Sequence, residues 1–382
     1  MLRRLAAGSF AVLILLATAG RLQSARHPKY GGTLRVEIGA AVNSLDAAET
    51  PATSAQAAAK AEINALLYAQ RTGEGVVAGE PGSGPFRVSA WESDKRAVLV
   101  ANDLCPEGRP FVDSIEIQMG RAAADRLLDL ELDRADLVEI APEGARRASE
   151  RGVRISVSQP DELVAIVFVP GRPVAEDERI REALSRSIDR SAIVNFILQK
   201  EGEPAGGLLP QWSSGTAFLF STAVDLAETH AIWSQIGGSP KIALGYDATD
   251  PLEQMIAERI AVNAREAGGS VAVESLRPGA ASNNIDAKFV RLRMISPHPR
   301  AALADFTAQL KSFAGIAADP PPQGALPQQI YDSERAIVSA YRVVPLVWLP
   351  RVYGLGPRVR DWNTPASAEA WPLADVWLGD KQ

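Results

Sequence analysis

The sequence predicts an α/β protein built in two halves, and three observations carry that prediction. Once an N-terminal export segment is set aside, about 355 residues remain, more than one ordinary hydrophobic core accommodates. Residues 241–276 read as strand, helix and strand with short joints, the pattern of a parallel βαβ unit. Leu163 to Val169 (LVAIVFV) is an unbroken apolar run of the length of a strand buried on both faces. The composition, 46% apolar and 23% charged, is that of a chain able to pack such a core.

At the start, Arg3 and Arg4 precede fifteen uncharged residues, Leu5 to Ala19. That run is shorter than the roughly 20 apolar residues a membrane-crossing helix needs, so a cleaved signal peptide over residues 1–25 is expected. Ala17-Thr18-Ala19 and Gln23-Ser24-Ala25 both offer small residues at a cut, and both remain open. Cleavage would deliver the chain to the periplasm or extracytoplasmic space. A short alternating strand follows, Leu34, Val36 and Ile38, closed by turn formers. One helix is expected near Ala57 to Tyr68. GSGPFRVSAW, AVLVAND and FVDSIEIQ then read as strands, with a helix at about Arg121 to Asp133.

Beyond the apolar run, Asp177 is an N-cap for a helix carrying Ile180, Leu184 and Ile188 on one face, with Glu182 and Arg186 on the wet side. Asp189 restarts a helix whose apolar face holds Ala192, Ile193, Phe196 and Ile197. KIALGYD is a strand. Asp250, Pro251 and Glu253 stand in the order of N-cap, first helical residue and capping-box partner, and Leu252, Met255, Ile256 and Ile260 point inward until Gly268-Gly269 ends the helix. VAVESL returns as a strand, residues 319–327 are a Pro-rich loop, and the C-terminal stretch is β-rich. No internal repeat is present.

Several function classes fall away on composition. A formal charge of −6 lacks the basic excess that a phosphate backbone requires, so no nucleic acid partner is expected. Cys105 is alone and is read as a small buried side chain. Three histidines, His27, His230 and His298, have no metal-ligand spacing, and no metal or other cofactor is expected. No Gly-x-Ser-x-Gly elbow occurs, and the chain is read as not an enzyme. GEPGSGP (79–85) lacks the Lys-Ser/Thr ending of a phosphate loop and is read as a turn entering a strand. Trp371 and Trp377 are read as core packing, and ERIREALSRSIDR as a solvated helix face.

Four blocks in order, GTLRVEIGAAVNSLD, GSGPFRVSAWESDKRAVLVAND with RPFVDSIEIQ, DERIREALSRSIDRSAIV and VVPLVWLPRVYGL, carry a resemblance. Together they make the chain similar to the extracellular solute-binding proteins of peptide and nickel ABC transporters, family 5, in a shortened and divergent form. The resemblance implies a two-lobed, type II periplasmic-binding-protein-like α/β fold with mixed sheets that closes on a ligand and delivers it to an ABC permease. It also implies strand crossings near Asp161 to Leu163 and near Ala336 to Tyr341. The first lobe would then be 29–162 with 337–382, and the second 163–336. Pro51 to Glu80 stands where the family carries a much longer extra domain, so residues 51–81 are its remnant. The acidic residue that many peptide binders aim at the ligand's amino terminus is missing from the matching text, VRLRMISPHPRAAL.

In such a cleft, ligand contacts come from inter-lobe loops with aromatic walls and convergent polar groups. Asn43, Ser44 and Asp46 are the first-lobe candidates, with plain turn chemistry as the competing reading. Trp212, Ser213 and Ser214 in PQWSSG are second-lobe candidates, against packing on the lobe surface. Arg293 and Ser296, beside His298, replace the family's acid, and Arg293 would prefer a carboxylate to an ammonium. The expected function is the substrate-binding component of an ABC importer, a monomer holding a peptide-like or other small organic solute. The alternative is a degenerate member that no longer transports and serves envelope interaction or sensing.

Overall fold

A computed structural model describes residues 27–380 apart from 47, 50, 52, 69–70, 73–74, 77–81, 216–218, 238–239, 278–283 and 366–370. The expected signal peptide and both of its cut sites lie outside the described residues, as does the start of GEPGSGP. In chain order the main elements of the first part are β1 (Thr33–Glu37), α1 (Ser54–Leu67), β2 (Phe86–Glu92), β3 (Arg96–Ala101), β4 (Ser114–Gln118), α2 (Ala123–Glu131), β5 (Leu137–Ile140) and α3 (Ala145–Glu150). Then come β6 (Arg154–Phe168), α4 (Glu178–Ser187), α5 (Leu226–Ile236), β7 (Lys241–Asp247), α6 (Pro251–Glu266) and β8 (Ser270–Leu276). The chain closes with β9 (Ala287–Arg293), α7 (Pro299–Ala314), α8 (Pro327–Val338) and β10 (Val343–Leu355).

Among the described residues one eleven-stranded sheet runs through the molecule in the order β8-β7-β9-β6-β10-β5-β1-β4-β3-β2, with Glu203–Pro204 paired on β10. β1 is parallel to β4 and β5, and β7 is parallel to β8 and β9, so each end of the sheet has its own parallel set. The long strands β6 and β10 join these sets as an antiparallel pair from Val343 opposite Val167 to Leu355 opposite Arg154.

Cores on the two faces of the sheet change along these strands. Val344, Leu346 and Leu349 pack with α4 and α6 residues, and Val343 and Trp348 pack with Phe306 and Leu310 of α7. Val352 packs instead with Leu130 and Val138, and Tyr353 with Leu34 and Ile117. On β10 the change of core therefore falls between Leu349 and Val352. α8 and the first half of β10 bury their apolar faces, Ile330 and Val343 among them, in the core beneath α7.

Local chemistry explains most elements. Asp177 Oδ1 accepts from the Arg179 amide, Asp189 Oδ1 from Ala192 and Asp225 Oδ1 from Glu228, each satisfying an orphan donor at a helix start. Asp250 caps α6 through the amides of Leu252 and Glu253. Glu253 does not complete a capping box: its Oε2 accepts from the Asp247 amide at the end of β7.

α1 is integral to the first half. Ile63, Leu66 and Leu67 are buried in its core, each worth about 1.5–3 kcal/mol relative to exposure. The Gly84 amide donates to the Leu67 carbonyl, and a Cβ on Gly84 would lie 2.4 Å from the Leu67 carbonyl carbon, which is why glycine stands there.

Three expectations from periodicity fail. Phe196 is 80% exposed because Ile193–Ile197 winds as a π-helical turn, which rotates it off the apolar face, and Met255 is 40% exposed on α6. In ERIREALSRSIDR, Arg181 and Arg190 are buried, not solvated. Arg181 donates to the Ala175 and Ala340 carbonyls and Arg190 to the Pro345 carbonyl, so these buried guanidinium groups are partnered by backbone oxygens. Cys105, Trp371 and Trp377 are buried as expected.

Candidate functional site

A cleft of about 940 Å³ lies where the two parallel sets face each other across β6 and β10. The first half contributes the loop after β1 at Gly39–Ala41, the start of α2 with Arg121 and Arg126, and Glu139 of β5. From the second half come Asp247 and Asp250 between β7 and α6, with Lys288, Arg291 and Arg293 on β9. Its floor is Glu162 of β6 and Pro350 and Arg351 of β10. Both sets of loops lie at the carboxyl ends of parallel strands, where open α/β sheets receive ligands.

The floor is a buried ionic network. Arg293 sits opposite Glu162 in the β9–β6 register, and Glu162 Oε2 accepts from Arg293 Nε at 3.0 Å and Nη2 at 2.8 Å. Arg291 lies two residues earlier on the same strand face and donates to Glu162 Oε1 at 2.8 Å and to Asp250 Oδ2 at 2.6 Å. Burial alone would raise the Glu162 pKa, but Arg293 and Arg291 outweigh it and hold the carboxyl at about 2. On the neighbouring strand Arg351 meets Glu62 of α1 at 2.6 Å and Asp161 at 2.7 Å. Burial pushes Glu62 up to about 7 despite Arg351. Such buried pairs add little net stability, but losing one member costs about 3–5 kcal/mol, so the network keeps each floor strand tied to its neighbours.

The walls are polar and of mixed charge. Arg126, mostly buried, donates Nε to the Glu139 carbonyl at 2.7 Å and Nη1 to the Arg121 carbonyl, and burial draws its pKa down. Gly39 permits this close approach: a Cβ there would be 2.6 Å from Arg126 Nη1. Its amide donates to Glu139 Oε2. α2 opens into the cleft with Ala122 as an N-cap that offers no side-chain acceptor. On the opposite wall burial raises Glu253 to about 7, against the pull of Arg291. No group of His, Cys, Asp and Glu among the described residues could hold a metal ion, and no described helix is long and apolar enough to cross a membrane.

Of the residues singled out in the sequence, Arg293 lines this cleft, but its guanidinium is already paired with Glu162. Asn43, Ser44 and Asp46 lie in a first-half turn away from the cleft lining. Ser44 Oγ accepts from the Asp46 amide, Asp46 Oδ1 from the Ala48 amide, and the Asn43 carbonyl from Trp91 Nε1 and Ser93 Oγ. Trp212 donates Nε1 to the Pro160 carbonyl at 2.8 Å, Ser213 Oγ to the Pro297 carbonyl and Ser214 Oγ to the Pro210 carbonyl. Ser296 is buried, and its Oγ accepts from the His298 amide. Arg121, Arg126, Glu162, Arg291 and Arg351 were not singled out. A usable signal was present for the last three, since each interrupts or abuts an apolar strand run, where an ionisable group is retained only with a partner.

A family model described as bacterial extracellular solute-binding proteins, family 5 (middle), matches residues 34–313. The probable D,D-dipeptide-binding periplasmic protein DdpA of Escherichia coli is 25% identical over 201 residues, which cover 51% of this chain and 39% of that relative. The chain thus matches well under half of the curated relative's length. Among solved structures, NikZ of Campylobacter jejuni in complex with Ni(L-His) superposes with a TM-score of 0.68 at 13% identity, covering 77% of this chain and 68% of the other. The dipeptide-binding protein of a Pseudoalteromonas species in complex with Met-Leu gives 0.65 at 14% identity, covering 79% and 66%. These likenesses establish the two-lobed fold.

Proposed function

The chain belongs to the bacterial extracellular solute-binding proteins of family 5, and from that premise we propose that it is the substrate-binding component of an ABC importer, taking a peptide-like or other small organic solute between its two lobes. The observation that carries this reading is the cleft: both lobes line it, and the strands that join them form its floor. In this reading the first lobe is 29–161 with 350–380 and the second is 162–349. A solute touching both walls favours the closed arrangement by its differential contacts with it, and no chemical step is needed. The ligands bound in the similar structures, a dipeptide and a nickel–histidine complex, set the classes to try first. Export to the periplasm, a single-chain state and delivery to a membrane permease belong to the same proposal. The non-transporting reading draws no support from the comparisons.

The test is calorimetric titration and thermal shift of residues 26–382 with di- to pentapeptides, amino acids, sugars and metal chelates. A solute at 100 times its Kd adds about 2.7 kcal/mol to the native state. Arg277→Ala and Gln56→Ala remove one cleft side chain from each lobe, both outside the apolar cores. A true ligand loses affinity with both. A folded protein that answers to no compound class would overturn the reading.

A further inference from the structure

The two joining strands place Pro160 directly opposite Pro350. Proline has no amide hydrogen, so neither residue donates to the ladder at this point. The register slips on both sides, between Leu349 and Pro350 and again between Pro350 and Val352. This is also where β10 changes from one pair of cores to the other. The ladder between the two joining strands is therefore interrupted at the level where β10 changes cores.

Beside the Arg351–Asp161 ion pair, two side-chain hydrogen bonds hold this stretch of the ladder. The Arg351 amide donates to Ser158 Oγ at 2.9 Å, joining one strand to the other. Trp212 Nε1 donates to the Pro160 carbonyl at 2.8 Å, and this bond comes from outside the pair. Trp212 lies in the short helix Gln211–Ser214 and packs partly against the second-lobe core that holds Leu292 and Phe306. Its indole is thus fixed to one lobe while its N–H grips the strand that leads into the other.

We propose that the Pro160–Pro350 pair is the pivot on which the lobes turn, and that Trp212 is a positioning residue that sets their resting angle by holding the Pro160 carbonyl. The inference rests on the reading that the lobes move relative to one another, but it requires no knowledge of the ligand. Arg351 with Asp161, and Arg293 with Glu162, lie next to the pivot and keep each strand tied to its neighbours while the angle changes.

The experiment is a spin-label distance measurement on the ligand-free mature protein. Cys105→Ala removes the native thiol, and Glu107→Cys and Glu228→Cys place labels at exposed sites in the first and second lobes. Trp212→Phe keeps an aromatic ring but loses the pyrrole half of the indole with its N–H, and is expected to shift or broaden the inter-lobe distance distribution while the melting temperature moves by a few degrees at most. Pro350→Ala restores an amide at the pivot and is expected to narrow the distribution. A Trp212→Phe distribution identical to the parent's would overturn the role of Trp212, and an unchanged Pro350→Ala distribution would overturn the pivot. Failure of every solute to bind would count against the transport reading alone, since these distances are measured without one.

Discussion

Glu162 and Arg293 face each other in register across β6 and β9, and both N–H···O bonds of the guanidinium fall on one carboxylate oxygen, Oε2, leaving Oε1 to Arg291. The pair explains how an acid can directly precede the apolar run LVAIVFV within β6: the charge is buried, and two cations neutralise it.

Arg293→Ala leaves Glu162 buried with one partner. A loss of about 3 kcal/mol is expected, at the lower end for a broken buried pair because Arg291 remains. Urea unfolding at pH 7 measures it, and a loss under about 1 kcal/mol would place Glu162 in contact with water.

The same carboxylate has an acid limb. Its folded pKa, about 2, lies below the ordinary 4.5, so its stabilisation is complete above about pH 4.5 and is lost as pH falls towards 2. Glu162→Gln should be less stable than the parent at pH 7, and the gap should shrink below pH 4. Parallel stability curves for the two proteins through that range would contradict the assignment.

Glu334 works in the opposite direction. Burial raises it to about 7, although its Oε1 accepts from the Leu209 and Leu208 amides. A carboxyl that holds its proton more tightly when folded stabilises below its unfolded pKa, and that contribution is lost as pH rises through 4.5 to 7. Glu334→Gln keeps an acceptor for the amides and should flatten the decline in denaturation midpoint between pH 5 and pH 7.5; an unaltered slope would assign the decline to other groups.

Gly84→Ala drives a Cβ into the Leu67 backbone at the end of α1. Overpacking of this kind costs typically 1–3 kcal/mol. A melting temperature equal to the parent's would mean that α1 is not docked on this strand.

Phe196 and Phe306 separate the two accounts of the core. Phe196→Ser should change stability by no more than about 0.5 kcal/mol because the ring is 80% exposed. Phe306→Ala, deleting a fully buried ring beside Trp348, should cost about 3–5 kcal/mol. Chemical denaturation of both variants decides whether periodicity or the π-helical turn places residue 196 correctly.

By itself, the sequence determined the elements whose causes are local. The caps at Asp177, Asp189 and Asp250, the alternation of Leu34, Val36 and Ile38, and the parallel βαβ unit from Lys241 to Leu276 all rest on contacts within a few residues or on one periodicity. α7 was not among the elements expected, although Ala302, Leu303, Phe306 and Leu310 recur at helical spacing. Tertiary structure alone decided the strand pairing and the charge pairs that line the cleft. Glu62 and Arg351 meet across 289 residues, Arg291 and Glu162 across 129, and Pro160 and Pro350 become partners only once β6 and β10 are paired. Charge pairing and strand register are matters of distance in space, and no local pattern in the chain encodes the position of a partner that far away. The turn at Ser44 to Asp46 and the indole of Trp212 have residue types that suit a ligand site, and in the folded chain Ser44 Oγ and Asp46 Oδ1 accept from backbone amides while Trp212 Nε1 donates to the Pro160 carbonyl.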